Sequence, residues 1–131
     1  MRKIKQTYRI KASLSEVWQA LTNPKYIDEW GGGPAKMSDR VGAKFSLWDG
    51  SIWGKNIEVI SQKKLVQEWY SENEGEKWEK PSIATFVLTQ EKDDVRIDFV
   101  HENVPEKDLK NIEDGWREYY LGPLKSYLEK R

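Results

Sequence analysis

The sequence of 131 residues contains no cysteine. Disulfides, thiolate metal ligands and cysteine nucleophiles are therefore excluded. There is one histidine, His101. A multi-histidine metal site is excluded with it, and no second imidazole is at hand for catalysis. Neither charge is in surplus: 22 Lys and Arg balance 22 Asp and Glu, for a formal net charge of +0. The chain thus lacks the basic excess of a nucleic-acid binder. No run approaches the roughly 18 apolar residues of a membrane span. The basic start, Met1 to Lys5, is not followed by the apolar core of a signal peptide, so the cytoplasm is the expected location. Internal repeats and low-complexity tracts are also missing.

What the sequence does have is rings. Seven Trp, six Tyr and three Phe stand beside a charged fraction of 34%. That aromatic content is too high for a disordered chain. The length suits one domain, 1–131, with a packed core and a charged surface.

Along the chain, Ile4, Tyr8 and Ile10 alternate with Lys3, Lys5, Thr7, Arg9 and Lys11, a strand with one wet face. Ser13 and Glu16 form a capping box for a helix over 13–22. Asn23-Pro24 ends that helix and starts a second over 24–29. Gly31-Gly32-Gly33-Pro34 predicts a flexible lip. Strands are then expected at 35–40, 43–48, 51–61, 65–71, 82–90 and 95–101, with Asp49-Gly50 as a hairpin turn and 72–80 as a charged loop. In these strands Trp53, Ile57 and Val59 are expected on one face, and Val95, Ile97 and Phe99 on another. Leu109, Ile112, Trp116, Tyr120, Leu124 and Tyr127 recur every three or four residues, which predicts a long helix over 106–130, kinked at Gly122-Pro123. One strand, two short helices, six antiparallel strands and one long helix make an α+β helix-grip fold. Its curved antiparallel sheet wraps around the C-terminal helix.

Catalytic patterns are weak. His101 ends a strand and reads as an exposed or half-buried surface residue rather than a general base. The carboxylate pairs Asp28/Glu29, Asp93/Asp94 and Glu113/Asp114 are sequence neighbours, and these do not face each other across a cleft as glycosidase chemistry requires. The glycine run matches neither a P-loop nor a dinucleotide fingerprint. No metal ligands, cofactor or catalytic residues are assigned. The rings either build the core or line a cavity that one helix cannot fill. The candidate lining is Trp30, Trp53, Trp69, Phe99, Trp116 and Tyr120, with Trp30 and the glycine segment at the mouth. Thr85, Gln67 and Thr89 are the expected polar exceptions facing inward. Gly115 and Gly122, seven apart, suggest close approach to the sheet or to a partner. The basic first strand and the acidic 68–79 segment, of five Glu and one Lys, together suit a charged protein partner.

Three stretches carry a family resemblance. SLSEVWQALTNPKYIDEW, VGAKFSLWDGSIWGKNIEVISQKKLVQEW and VPEKDLKNIEDGWREYYLGPLKSYLEK resemble the opening, central hairpins and C-terminal helix of the activators of the ninety-kilodalton heat-shock protein ATPase. That family lies in the START-like SRPBCC superfamily. The likeness is to the C-terminal domain of the eukaryotic co-chaperone, here expected to stand alone. It implies a non-catalytic binding domain whose partner is the ninety-kilodalton chaperone or another protein. Binding or transport of a small hydrophobic ligand in the helix-grip cavity is the alternative. A cyclase- or aromatase-like enzyme, also found in the superfamily, is a third.

Overall fold

A computed structural model describes residues 2–73 and 75–131. Met1 of the basic start, and Glu74 of the expected charged loop and acidic segment, lie outside the described residues. The elements are β1 (Arg2–Ile10), α1 (Leu14–Thr22), α2 (Pro24–Trp30), β2 (Lys44–Leu47), β3 (Ile52–Ile60), β4 (Lys64–Asn73), β5 (Glu76–Lys77), β6 (Ser82–Glu91) and β7 (Asp94–Val104). The C-terminal helix follows as α3 (Leu109–Gly115), a π-helical turn (Trp116–Leu121) and α4 (Gly122–Glu129). The sheet is antiparallel throughout, in the order β1-β7-β6-β4-β3-β2, with β5 paired to β4. This is the expected α+β helix-grip fold.

Local chemistry starts each piece. Glu16 N donates to Ser13 Oγ at 3.1 Å and Ser13 N donates to Glu16 Oε1 at 3.4 Å, closing the capping box of α1. Asn23 Oδ1 accepts from Lys25 N at 2.9 Å and caps α2, whose first residue is Pro24. In β6 and β7 every second residue is buried: Ser82, Ala84, Phe86 and Leu88 face Val95, Ile97, Phe99 and His101 across the inner surface. Trp116 and Tyr120, each 1% exposed, are the rings by which the helix meets that surface.

Six expectations change. Residues 35–40 are not a strand; Lys36 alone bridges to Ser46. Side-chain amides replace a strand partner there: Asn56 Nδ2 donates to Ser38 O at 2.8 Å and Arg40 O at 3.0 Å, and Gln67 Nε2 donates to Asn56 Oδ1 at 2.9 Å. A bulge in β3 between Asn56 and Glu58 shifts the alternation by one residue. Val59, opposite Leu65, is therefore on the inner face, while Trp53, opposite Tyr70, is on the outer one. The 72–80 segment is a hairpin arm rather than a loop, and its Trp78 is buried, donating through Nε1 to Asp108 Oδ2 at 2.9 Å. Thr85 and Thr89 sit on the outer, half-buried positions of β6; the inward polar residues are Ser82, Asn56, Gln67 and His101. The glycine segment is pinned, since Trp48 N donates to Gly32 O and Trp48 Nε1 to Gly31 O, both at 2.8 Å.

The sixth change is in the helix. It runs through Gly122-Pro123 by widening into the π turn. Pro123 has no N–H and its ring crowds the carbonyl four residues back, so a wider turn relieves both demands. The two glycines have separate reasons, neither of them contact with the sheet. A Cβ on Gly122 would lie 2.1 Å from Arg117 O, whereas one on Gly115 would meet nothing within 4 Å. The backbone at both is ordinary right-handed helix. Gly115→Ala is therefore expected to stabilise the protein by about 0.5–1 kcal/mol through helix propensity. Gly122→Ala is expected to destabilise it by about 1–3 kcal/mol through overpacking. Urea melts of the two variants check this; equal effects of the same sign would contradict the π-turn explanation.

Candidate functional site

A buried hydrogen-bond chain ties the helix to three strands. Trp116 Nε1 lies 2.9 Å from His101 Nδ1. An indole N–H only donates, so Nδ1 accepts, and the proton of the neutral imidazole is on Nε2. Nε2 is 2.7 Å from Ser82 Oγ, to which it donates, and Ser82 Oγ donates to Trp69 O at 2.7 Å. His101 is 0% exposed. It is no surface residue, and with both nitrogens engaged it is no free base. The signal lay in the alternation: Val95, Ile97 and Phe99 predict the same inward face for position 101. Burial pushes its pKa down from 6.5 to about 3.

Rings pack around this chain. Trp116 lies 4.1 Å from Phe99, 4.7 Å from Trp69 and 4.7 Å from Tyr120, centroid to centroid. The Trp69 ring meets His101 edge-on at 5.1 Å. Where α3 and the π turn pass the start of β3, a pocket of about 350 Å³ opens. Trp48, Trp69, Trp116, Tyr119 and Tyr120 form its aromatic wall, with Ile52, Ile112 and Gly115 between them and Ser51 and Asn111 as polar additions. No carboxylate, amine, guanidinium or imidazole lines it. Burial raises the pKa of the Tyr120 phenol well above its ordinary value, so it stays neutral. Among the described residues, no group of three or more His, Asp or Glu is arranged to hold a metal.

Of the six residues expected to line the cavity, Trp69, Trp116 and Tyr120 do so. Trp30 is 5% exposed but lies behind the wall, donating through Nε1 to Ala20 O at 2.9 Å and packing on Tyr120 at 4.7 Å. It is core, not the mouth. Phe99 lies behind Trp116. Trp53 is on the far face of the sheet, stacked on Tyr70 at 5.7 Å with Lys77 above it. Trp48 and Tyr119 complete the wall without having been expected there. Trp48 has φ 47 and leads Asp49 and Gly50 through a left-handed turn, which breaks the alternation that would have assigned its side. The charged stretches pair locally: Lys3 with Glu102, Arg9 with Glu91, Lys55 with Glu68 and Lys107 with Glu76. Such surface pairs are the ordinary solvated kind. No helix among the described residues is long and apolar enough to cross a membrane.

The depressed pKa of His101 has a sign for stability. The unfolded chain takes up a proton near pH 6.5 and the folded chain only near pH 3. The contribution is therefore complete above pH 6.5 and is lost as pH falls from there toward 3, at about 1.4 kcal/mol per pH unit. Between pH 7 and 5 that amounts to about 2 kcal/mol more loss in the wild type than in His101→Asn, measured by urea melts. Parallel pH profiles for the two proteins would mean that His101 titrates in the native state as it does in the unfolded chain.

Residues 11–129 match the model of the family described as "Activator of Hsp90 ATPase homolog 1-like protein". The activator of 90 kDa heat shock protein ATPase homolog 1 of Homo sapiens is 22% identical over 124 residues, 93% of this chain and 35% of that protein. The chain thus spans about a third of the length of such curated relatives. The crystal structure of an HSP90 activator from Plasmodium falciparum superposes with a TM-score of 0.82 at 22% identity, covering 98% of this chain and 96% of that one. CalU16 from Micromonospora echinospora superposes with a TM-score of 0.80 at 27% identity, covering 97% and 76%. The family model covers nearly the whole sequence, and the helix-grip architecture accompanies it; the chain belongs to the family of Hsp90 ATPase activator homolog 1-like proteins.

Proposed function

We propose that this domain works by binding and not by turnover, and that its binding element is the ring-walled pocket between α3, the π turn and the start of β3. The observation that carries this reading is the pocket lining itself: about 350 Å³ bounded mainly by Trp, Tyr and Ile, with no carboxylate, imidazole or amine to move a proton. The sole histidine is locked in the Trp116–Ser82 chain. A cyclase- or aromatase-like reaction needs acid–base groups converging on the substrate; Ser51 and Asn111 do not supply them, and burial holds the Tyr120 phenol neutral.

A second reading, protein binding to a ninety-kilodalton heat-shock chaperone, is favoured by the family membership and by Tyr119. That ring is 64% exposed while belonging to the pocket rim, the kind of aromatic that anchors interfaces. The human relative is named for activating this ATPase. The two readings share one surface: a partner side chain entering the pocket would cover Tyr119.

Gly115→Leu tests the shared element. The helix accepts leucine at this position, and the added side chain projects where a Cβ meets nothing within 4 Å, filling the pocket. Titration with the uncharged dye prodan is expected to give a saturable, blue-shifted signal in the wild type and none in Gly115→Leu, at an unchanged or higher melting temperature. Calorimetry against a purified ninety-kilodalton chaperone, with both proteins, tests the second reading. Dye binding unaffected by Gly115→Leu would remove the pocket from consideration.

A further inference from the structure

Four large apolar side chains are exposed among the described residues. Tyr119 belongs to the pocket rim. The other three, Val41 at 64%, Ile57 at 39% and Ile60 at 45%, do not line the pocket. They gather at one corner of the outer sheet face. Gly42 N donates to Asn56 O at 2.8 Å, so Val41 stands in the turn beside the bulge that carries Ile57. Ile60 is opposite Lys64, which alternates with the buried Leu65 and so shares the outer face with Glu68 and Tyr70.

The same corner concentrates positive charge in a chain whose net charge is +0. In β2 the burial of Phe45 and Leu47 turns Lys44 to the outer face, where it is opposite Lys55; Lys36 is opposite Ser46 on that face. Like charges directly opposite each other across two strands repel. Arg40 adjoins Val41, and Lys63 N donates to Ile60 O in the next turn. Two carboxylates answer two of the lysines, Glu68 at 3.9 Å from Lys55 and Glu58 at 3.4 Å from Lys64. Lys36, Arg40, Lys44 and Lys63 are exposed and in no ion pair, against one unpaired carboxylate, Asp39.

The complement is broad and negative, with an apolar layer to receive the aliphatic side chains. An anionic bilayer surface offers both. Protein interfaces are depleted in lysine and centre on aromatic or arginine anchors. Here lysine predominates and the exposed apolar groups are aliphatic. The rings nearby, Trp53 and Tyr70, are stacked on each other with Lys77 over Trp53, which takes up ring faces that nucleic-acid bases would need. We propose that this corner docks the protein peripherally on an anionic lipid bilayer. Val41, Ile57 and Ile60 enter the headgroup layer, and Lys36, Arg40, Lys44 and Lys63 lie against the anionic headgroups.

Co-sedimentation with phosphatidylcholine vesicles containing about 30% phosphatidylserine tests this. The protein is expected to pellet with them at about 0.1 M salt, to stay in solution with pure phosphatidylcholine, and to be released at about 1 M salt. Arg40→Ala combined with Lys44→Ala is expected to weaken binding on the order of 30-fold. Its melting temperature is expected to equal or exceed that of the wild type, since both side chains are exposed and a repulsion is removed. Val41→Ser is expected to weaken binding without changing its salt dependence. Lys25→Ala combined with Lys130→Ala removes the same charge from exposed positions elsewhere and is expected to leave binding unchanged. No pelleting with the anionic vesicles would overturn the proposal, as would equal pelleting with pure phosphatidylcholine or equal weakening by the two double variants. Binding of poly-glutamate or an oligothymidylate without vesicle binding would also overturn it and assign the corner to a charged polymer. None of these outcomes bears on dye binding in the pocket.

Discussion

The structure depends on one imidazole staying neutral inside it. Trp116 can donate to His101 Nδ1 only while that nitrogen is bare, and this forces the single proton onto Nε2, toward Ser82. The Ser82 hydroxyl then donates to the main-chain carbonyl of Trp69. One chain of three hydrogen bonds therefore links β7, β6, β4 and the π turn, and it sets the height at which the helix crosses the sheet. The Trp116 ring alone buries on the order of 200 Å², an upper estimate of about 5 kcal/mol in apolar transfer. Protonating His101 would set its Nδ1–H against the indole N–H and leave a charge unpaired in a shell of rings.

The pocket is a consequence of that crossing. Trp116 and Tyr120 point into the sheet and are buried, so the residues on the adjoining face, Asn111, Ile112, Gly115 and Tyr119, pass over the turn at Trp48 and the start of β3. Gly115 brings no side chain to this gap, and the gap persists. Gly122 has a different cause in the same helix: the π turn made necessary by Pro123 drives the Arg117 carbonyl against its Cα hydrogen. The glycine segment 31–33 contributes by holding Trp48 through two backbone carbonyls, which fixes the outer wall of the pocket.

Most of the architecture was legible from periodicity. The capping box at Ser13 and Glu16, the alternation through 82–101 and the stripe from Leu109 to Tyr127 each describe the element that forms. What escaped the pattern are places where a side chain or a bulge substitutes for a strand neighbour. Asn56 holds 38–40 as a turn, and the bulge beside it moves Trp53 to the outer face. The left-handed turn at Trp48 hides the side on which its ring lies. Trp78 and Asp108, 30 residues apart, meet only in three dimensions, and no local pattern in a charged stretch signals a buried indole. Half of the candidate site was accessible for the same reason: Trp69, Trp116 and Tyr120 follow a clean period, and Trp48 and Tyr119 lie outside one.

The protonation state of His101 tests this dependence most directly. Long-range proton–nitrogen correlation spectra of the imidazole, recorded from pH 7 to 5, report which nitrogen is protonated. The hydrogen-bond chain requires a bare Nδ1 and a protonated Nε2 throughout that range, with no titration, and a Trp116 indole proton that exchanges slowly with solvent. A midpoint near 6.5, the opposite tautomer, or rapid exchange of the indole proton would contradict the claim that a neutral histidine holds the helix to the sheet.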